Sequence, residues 1–200
     1  MVLRLCLTIL VFTASAAAQS NVEIENDWVR VLRVKLAPHE QTPERQHPDS
    51  VAVYLTDLVK HKAGDVAWLP AGKDSQANPS DSAAEYILME LKPGAPKAKG
   101  WPVALDPVKL DSVHHLVPIE NARVRVLRTI LEPHLKGPTH DHPSYVVVYL
   151  TELHTTMTLA DGKQVDNPRR PGEIAWRDAY RHTTENVGDR TAVEIQIELK

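Results

Sequence analysis

The chain has 200 residues, 24% of them charged, a formal net charge of −3 and a single cysteine. A mild acid excess with no basic run or tail excludes a nucleic-acid binder held by electrostatics. One cysteine excludes a disulfide framework.

Residues 1–18 read as a secretory leader. Arg4 gives a basic start, Leu5 to Phe12 an apolar run, and Ala14-Ser15-Ala16-Ala17-Ala18 the small residues of a cleavage site, after Ala18 or Ala16. The apolar run is shorter than the roughly 20 residues that span a bilayer, so cleavage is expected rather than anchoring. Removing the segment takes away Cys6 and the single charge Arg4, which moves the net charge from −3 to −4. The expected product is secreted or periplasmic, with no membrane attachment and no thiol chemistry.

The rest of the chain is written twice. Asn26 to Thr56 reads NDWVRVLRVKLAPHEQTPERQHPDSVAVYLT, and Asn121 to Thr151 reads NARVRVLRTILEPHLKGPTHDHPSYVVVYLT. Gly64-Asp65-Val66-Ala67-Trp68 is answered by Gly172-Glu173-Ile174-Ala175-Trp176, and Ile87 to Lys92 by Ile195 to Lys200. A repeat of this length indicates two related units, expected at 19–92 and 115–200. Residues 93–114, rich in Pro, Gly and Lys, form the linker or arm between them, and Trp101 is a candidate to pin it to one unit.

Val29 to Leu36 and Val124 to Leu131 are β-branched and alternating, and predict strands. Val51 to Leu55 and Val146 to Leu150 predict short buried strands. Asp161-Gly162, between Met157-Thr158-Leu159 and Lys163-Gln164-Val165, predicts a tight hairpin. No stretch keeps a 3.6-residue period, so the expected class is all-β, as sandwich or barrel.

His140 and His142 stand two apart at the head of a strand and share a face. His182 follows a turn-like stretch and opens Thr183-Thr184-Glu185-Asn186. Three imidazoles on neighbouring strands can hold a divalent transition metal, with Fe, Zn, Mn, Ni and Cu all accepting nitrogen ligands. Glu185 has the opposite parity to His182 and should face away. Glu194, on the polar face of the last strand, is a minor candidate for a fourth ligand.

These motifs resemble the cupin superfamily in its two-domain, bicupin form. His140-Asp141-His142-Pro143 matches that family's first motif, and Gly172 to Asn186 its second, with His182 and Asn186 correctly spaced. The first unit keeps Gly64, Pro70-Ala71-Gly72 and Asn78. The resemblance implies two tandem β-barrels of the double-stranded β-helix or jelly-roll type, the first shortened, and a metal on His140, His142 and His182. Val146 and Val147 stand where the family's glutamate ligand would fall, and Asp178-Ala179-Tyr180 replaces its Pro-x-Gly. Some cupins work with three histidines alone.

In the first unit Arg45 stands at the place of His140 and Asp74 at that of His182; His47 remains. The expectation is an Arg45–Asp74 salt bridge filling the metal's place. The segment Asp57 to Gly64 is shorter than its counterpart Glu152 to Gly172, so a hairpin is missing. The open edge should pack on the other unit or on a second copy, as in a homodimer.

Trp68 and Trp176 read as core. Arg33, Arg128, Tyr54 and Tyr149 read as stems packed on the surface with heads in water. His39 and His134 read as turn residues, and His61, His114, His115 and His154 as solvated. Tyr145, Arg177, Tyr180 and Arg181 are the candidate pocket lining.

Three neutral imidazoles leave a divalent ion its full charge, which favours an anionic, chelating small molecule. The leading expectation is a metal-dependent oxygenase or isomerase of a small organic substrate. The alternative is a non-catalytic bicupin that binds a sugar or organic anion, or a structural one. No Gly-x-Ser-x-Gly elbow is present, which argues against covalent acyl chemistry.

Overall fold

The computed structural model describes residues 19–200. The leader expected over 1–18 lies outside the described residues.

The first unit contains β1 (Gln19–Glu25), β2 (Val29–Leu36), β3 (Arg45–His47), β4 (Ser50–Tyr54), β5 (Val66–Leu69), β6 (Gly72–Asp74) and β7 (Ala84–Leu91). One short helix, α1 (Pro107–Leu110), lies in the connection to the second unit. That unit contains β8 (His115–Glu120), β9 (Val124–Leu131), β10 (His140–His142), β11 (Tyr145–Tyr149), β12 (Leu153–Leu159), β13 (Gln164–Arg169), β14 (Ile174–Arg177), β15 (Tyr180–Asn186) and β16 (Ala192–Leu199). Strands β2 and β9 fall where β-branched alternation placed them.

Each unit has a five-stranded sheet of the same order, β1-β2-β7-β4-β5 in one and β8-β9-β16-β11-β14 in the other. Facing it, the second unit has β10-β15-β12-β13, whereas the first has only β3-β6. The missing pair is the β12–β13 hairpin, which turns at Gly162 with φ +83° in the second unit. Thus the first barrel is shortened as the sequence suggests.

Strand alternation divides two interiors. On β7, Ile87, Met89 and Leu91 face one way; on β16, Ile195, Ile197 and Leu199 do the same. These residues, with Val31, Val51, Val53, Val126, Val146 and Val148, form one core between the units. The two five-stranded sheets therefore pack face to face, and the units are joined by sheet faces rather than by the first unit's shortened edge. The continuous apolar runs of β4 and β11 are buried on both faces, which is what brings the sheets together.

Reciprocal contacts fasten the interface. Arg33 donates through Nη2 to the Gly172 carbonyl at 2.6 Å, and Arg128 donates to the Gly64 carbonyl. Trp28 stacks on Trp176 with ring centroids 5.5 Å apart. Arg33 and Arg128 are thus not surface stems; each guanidinium caps a turn of the other unit. Tyr54 and Tyr149, both 2% exposed, also leave the surface and fill the two barrel interiors. Trp68 and Trp176 pack against the shared core as expected. His39 and His134 occupy equivalent turns with φ of 59° and 60°.

The segment before β8 lies across one end of the second barrel. Ser144 N–H donates to the Lys99 carbonyl at 3.0 Å, and Asp141 N–H to the Leu105 carbonyl at 2.8 Å. Trp101 sits between the cations of Arg125 (4.9 Å) and Lys200 (4.8 Å), which pins it to the second unit.

Candidate metal centre

His140, His142 and His182 converge inside the second barrel. Strands β10 and β15 pair antiparallel with His140 opposite His182 and His142 opposite Tyr180, so the three imidazoles share one face. They are 4%, 1% and 4% exposed, and one ring nitrogen from each lies within 4.8 Å of the others.

The rings are held from behind. His140 Nδ1 donates to the Pro138 carbonyl at 2.9 Å, and His142 Nδ1 to Glu198 Oε1 at 2.7 Å. His182 Nδ1 lies 3.3 Å from Thr184 Oγ1. With each Nδ1 engaged, the Nε2 atoms are the free ones. Those of His142 and His182 are buried with no hydrogen-bond partner. A buried acceptor left unpaired costs about 1–3 kcal/mol, and a divalent ion would relieve both at once. Burial lowers the pKa of all three rings, His182 to about 2, and keeps them neutral. Neutral imidazole is the form that donates a lone pair to a metal.

Glu198, which sequence reasoning missed, completes the support. Fully buried, it accepts from His142 and from Arg125 Nε at 2.6 Å. Arg125 in turn bridges to Asp106 Oδ1 at 2.9 Å, tying the cluster to the covering segment. Burial pushes Glu198 up to about 7 against the pull of Arg125. The signal lay in the alternation of the last strand: Glu194, Gln196 and Glu198 interleave with the apolar Val193, Ile195 and Ile197. Three polar residues on one face of a buried strand require partners inside the barrel.

His115 corrects another expectation. It is 4% exposed rather than solvated, with its ring centroid 5.4 Å from that of His140. Its Nδ1 donates to the Asp111 carbonyl at 3.0 Å, as that of His140 does to Pro138. Burial lowers its pKa as well. His115 precedes the repeat motifs, and nothing in its neighbours' spacing brings it to the cluster; β8 does so by pairing with β9. His114 is also withdrawn from solvent, bonded to Asp111 at 2.8 Å. His61 stacks on Tyr54, whereas His154 is exposed beside Asp166.

Of the candidate lining residues, Tyr145, Arg177 and Tyr180 gather with Glu194, Gln196 and His182 around a narrow space of about 20 Å³. Tyr145 and Tyr180 share a hydrogen bond of 2.8 Å between hydroxyls. Arg181 does not join them: it points outward to Asp141, with Nε 2.6 Å from Oδ1. Glu194 is inside but stands apart from the three clustered nitrogens; Gln196 Nε2 donates to it at 2.8 Å and burial raises it to about 7. Glu185 faces away toward Lys136 at 3.5 Å.

The matching place in the first unit is wired differently from expectation. Arg45 and Asp74 are opposite each other on β3 and β6, yet Arg45 Nη1 pairs with Glu90 Oε1 at 2.6 Å, and Asp74 accepts from Gln76 Nε2 at 2.6 Å. Glu90 is the counterpart of Glu198. It is 5% exposed, and a buried carboxylate left without a cation is costly.

No family model matches the chain, and no curated protein matches it. Solved structures do. AerE from Microcystis aeruginosa aligns with 96% of this chain and 95% of its own, at TM-score 0.69 and 11% identity. Salicylate 1,2-dioxygenase from Pseudoaminobacter salicylatoxidans, in its adducts with gentisate, aligns with 86% of this chain and 68% of its own, at TM-score 0.58 and 10% identity. A cupin domain from Bordetella pertussis is 28% identical over 43% of this chain and 91% of its own, at TM-score 0.41. The fold is two tandem cupin-type β-barrels, the first shortened.

Proposed function

We propose that this is an exported two-barrel metalloprotein that holds one divalent transition metal on His140, His142 and His182. The observation that carries this is the pair of buried, partnerless Nε2 atoms beside a third tethered imidazole. A bound metal would supply a Lewis-acid centre, and with a redox-active ion a site for electron transfer. The chain's own groups set the rest. Glu198 holds the His142 tautomer, and the Pro138 carbonyl holds that of His140. Tyr145 and Tyr180 present neutral hydroxyls, because burial raises both phenols. Arg177, with Nη2 3.3 Å from Tyr149 Oη, places a cation near a small anionic ligand.

The reading that follows is a metal-dependent oxygenase or isomerase acting on a small organic acid. The dioxygenase that shares the fold supports the oxygenase branch by analogy of fold alone. The leader-like residues 1–18 support export. The narrowness of the space at His182, about one water in size, favours a second reading. In that reading the metal steadies the barrel or holds a ligand without turnover.

The test is elemental analysis of untagged protein purified without chelator, beside His182→Ala. About one transition metal per chain, lost in the variant, supports the metal centre, and oxygen-uptake and isomerase screens then separate the two readings. No metal in either protein, even after reloading, overturns it.

A further inference from the structure

The first barrel contains a cavity of about 250 Å³ at the place that corresponds to the metal centre of the second. The register is the same: Arg45 faces Asp74 across β3–β6 as His140 faces His182 across β10–β15. The chemistry is not. Val34, Leu69, Tyr86 and Leu88 line the cavity where the second unit has Thr129, Arg177, Glu194 and Gln196. A polar barrel interior has become an apolar one.

Two cations stand at its wall. Arg45 is anchored through Nη1 by buried Glu90, while 45% of its side chain remains exposed. A guanidinium has five N–H donors in a rigid fork, so one bond to Glu90 fixes it without exhausting it. Arg30 also lines the cavity; its nearest acid, Glu25, is 3.9 Å away and both side chains are about half exposed. Asp74 is the opposing charge, and its carboxylate is occupied by the Gln76 amide. Access follows from the shortening, since the first unit lacks the strands that extend β15 in the second.

We propose that the first unit is a second, separate binding site, for a small monocarboxylate with an apolar body. The carboxylate sits on Arg45 and Arg30, and the body lies on Leu32, Leu69 and Leu88. The volume lies just below the usual range for drug-sized ligands and suits an acid of on the order of ten non-hydrogen atoms. A bidentate contact to a guanidinium supplies orientation, and the apolar wall most of the affinity. None of this depends on a metal in the second barrel.

The test is calorimetric titration of the full chain with benzoate and hexanoate, beside benzamide and hexanamide. A His140→Ala/His182→Ala background removes any contribution of the second barrel. One saturable site per chain is expected in both backgrounds, with each amide at least about tenfold weaker than its acid. Arg30→Gln should weaken the acids by about tenfold. Arg45→Ala would strand Glu90, so Arg45→Met/Glu90→Gln removes the pair together and should weaken them by a similar factor. Leu88→Trp should fill the cavity and abolish binding. The proposal is overturned if the acids bind no tighter than the amides or if binding disappears with the histidines. It also fails if no probe binds by about 10 mM, including the case where light scattering shows a second copy covering the opening.

Discussion

Glu198→Gln separates a carboxylate that serves the metal from one that merely neutralises an arginine. Glu198 is fully buried and bonds His142 Nδ1 at 2.7 Å and Arg125 Nε at 2.6 Å. Glutamine keeps the volume and one carbonyl acceptor but removes the charge. A carboxylate behind a ligating histidine raises the basicity of the opposite nitrogen, and its loss typically lowers metal affinity by about 10–100-fold. That corresponds to about 1.4–2.7 kcal/mol. Orphaning a buried charge costs about 3–5 kcal/mol. Arg125 keeps Asp106 at 2.9 Å, so the metal-free protein should lose less, about 1–3 kcal/mol. Competition with a chromogenic chelator reads the first quantity, and urea unfolding of the metal-free protein the second. If stability falls while affinity stays within about twofold of the parent, Glu198 acts only on Arg125, and the reasoning about the His142 tautomer is refuted.

Stability of the metal-free protein should depend on pH through the buried rings. An unfolded histidine takes up its proton near about 6.5, whereas His182 in the fold resists protonation down to about 2. The unfolded chain therefore binds more protons in that window. His182 alone should therefore cost about 1.4 kcal/mol per pH unit as pH drops below about 6.5. Glu194 and Glu198, both raised to about 7 by burial, bind more protons folded than unfolded over the same window and oppose it. The His182 contribution is therefore read as the difference between the parent and His182→Asn; equal pH slopes of the urea midpoint in the two proteins between pH 7 and pH 5 would refute it. Trp176→Ala removes half of the Trp28 stack between the units and should cost about 2–3 kcal/mol in urea unfolding; a loss below about 0.5 kcal/mol would show that the stack adds nothing to the apolar core. Gly100→Ala places a Cβ 2.7 Å from Ala179 Cβ and 3.0 Å from Pro143 Cα at φ +87°. It should cost about 1–3 kcal/mol and expose the covering segment to protease, and unchanged digestion would argue against close closure of the barrel end.

Much of this molecule is written in local pattern. The repeat, the alternation of Val29 to Leu36 and Val124 to Leu131, and the Asp161-Gly162 turn are short-range signals. Each acts on the backbone within a few residues, so the all-β class, the duplicated barrel and the missing hairpin were legible. The His-x-His spacing is equally local, because strand parity alone puts His140 and His142 on one face.

Partner choice was not legible. Arg45 has Asp74 opposite in register, yet it bonds Glu90 on a different sheet, because the buried carboxylate has more to gain from a cation than the one already served by Gln76. Arg33 and Arg128 look like surface residues until two sheets close face to face and bring a foreign turn carbonyl to each guanidinium. His115 comes to the histidine cluster only because β8 pairs with β9, and Glu198 reaches His142 across 56 residues of sequence. By itself, then, the sequence determined which backbone forms and which side chains share a strand face, since those depend on neighbours along the chain. The tertiary structure alone decided which charges pair, which imidazoles lose water and which barrel stays hollow, since desolvation and Coulomb attraction depend on distance through space.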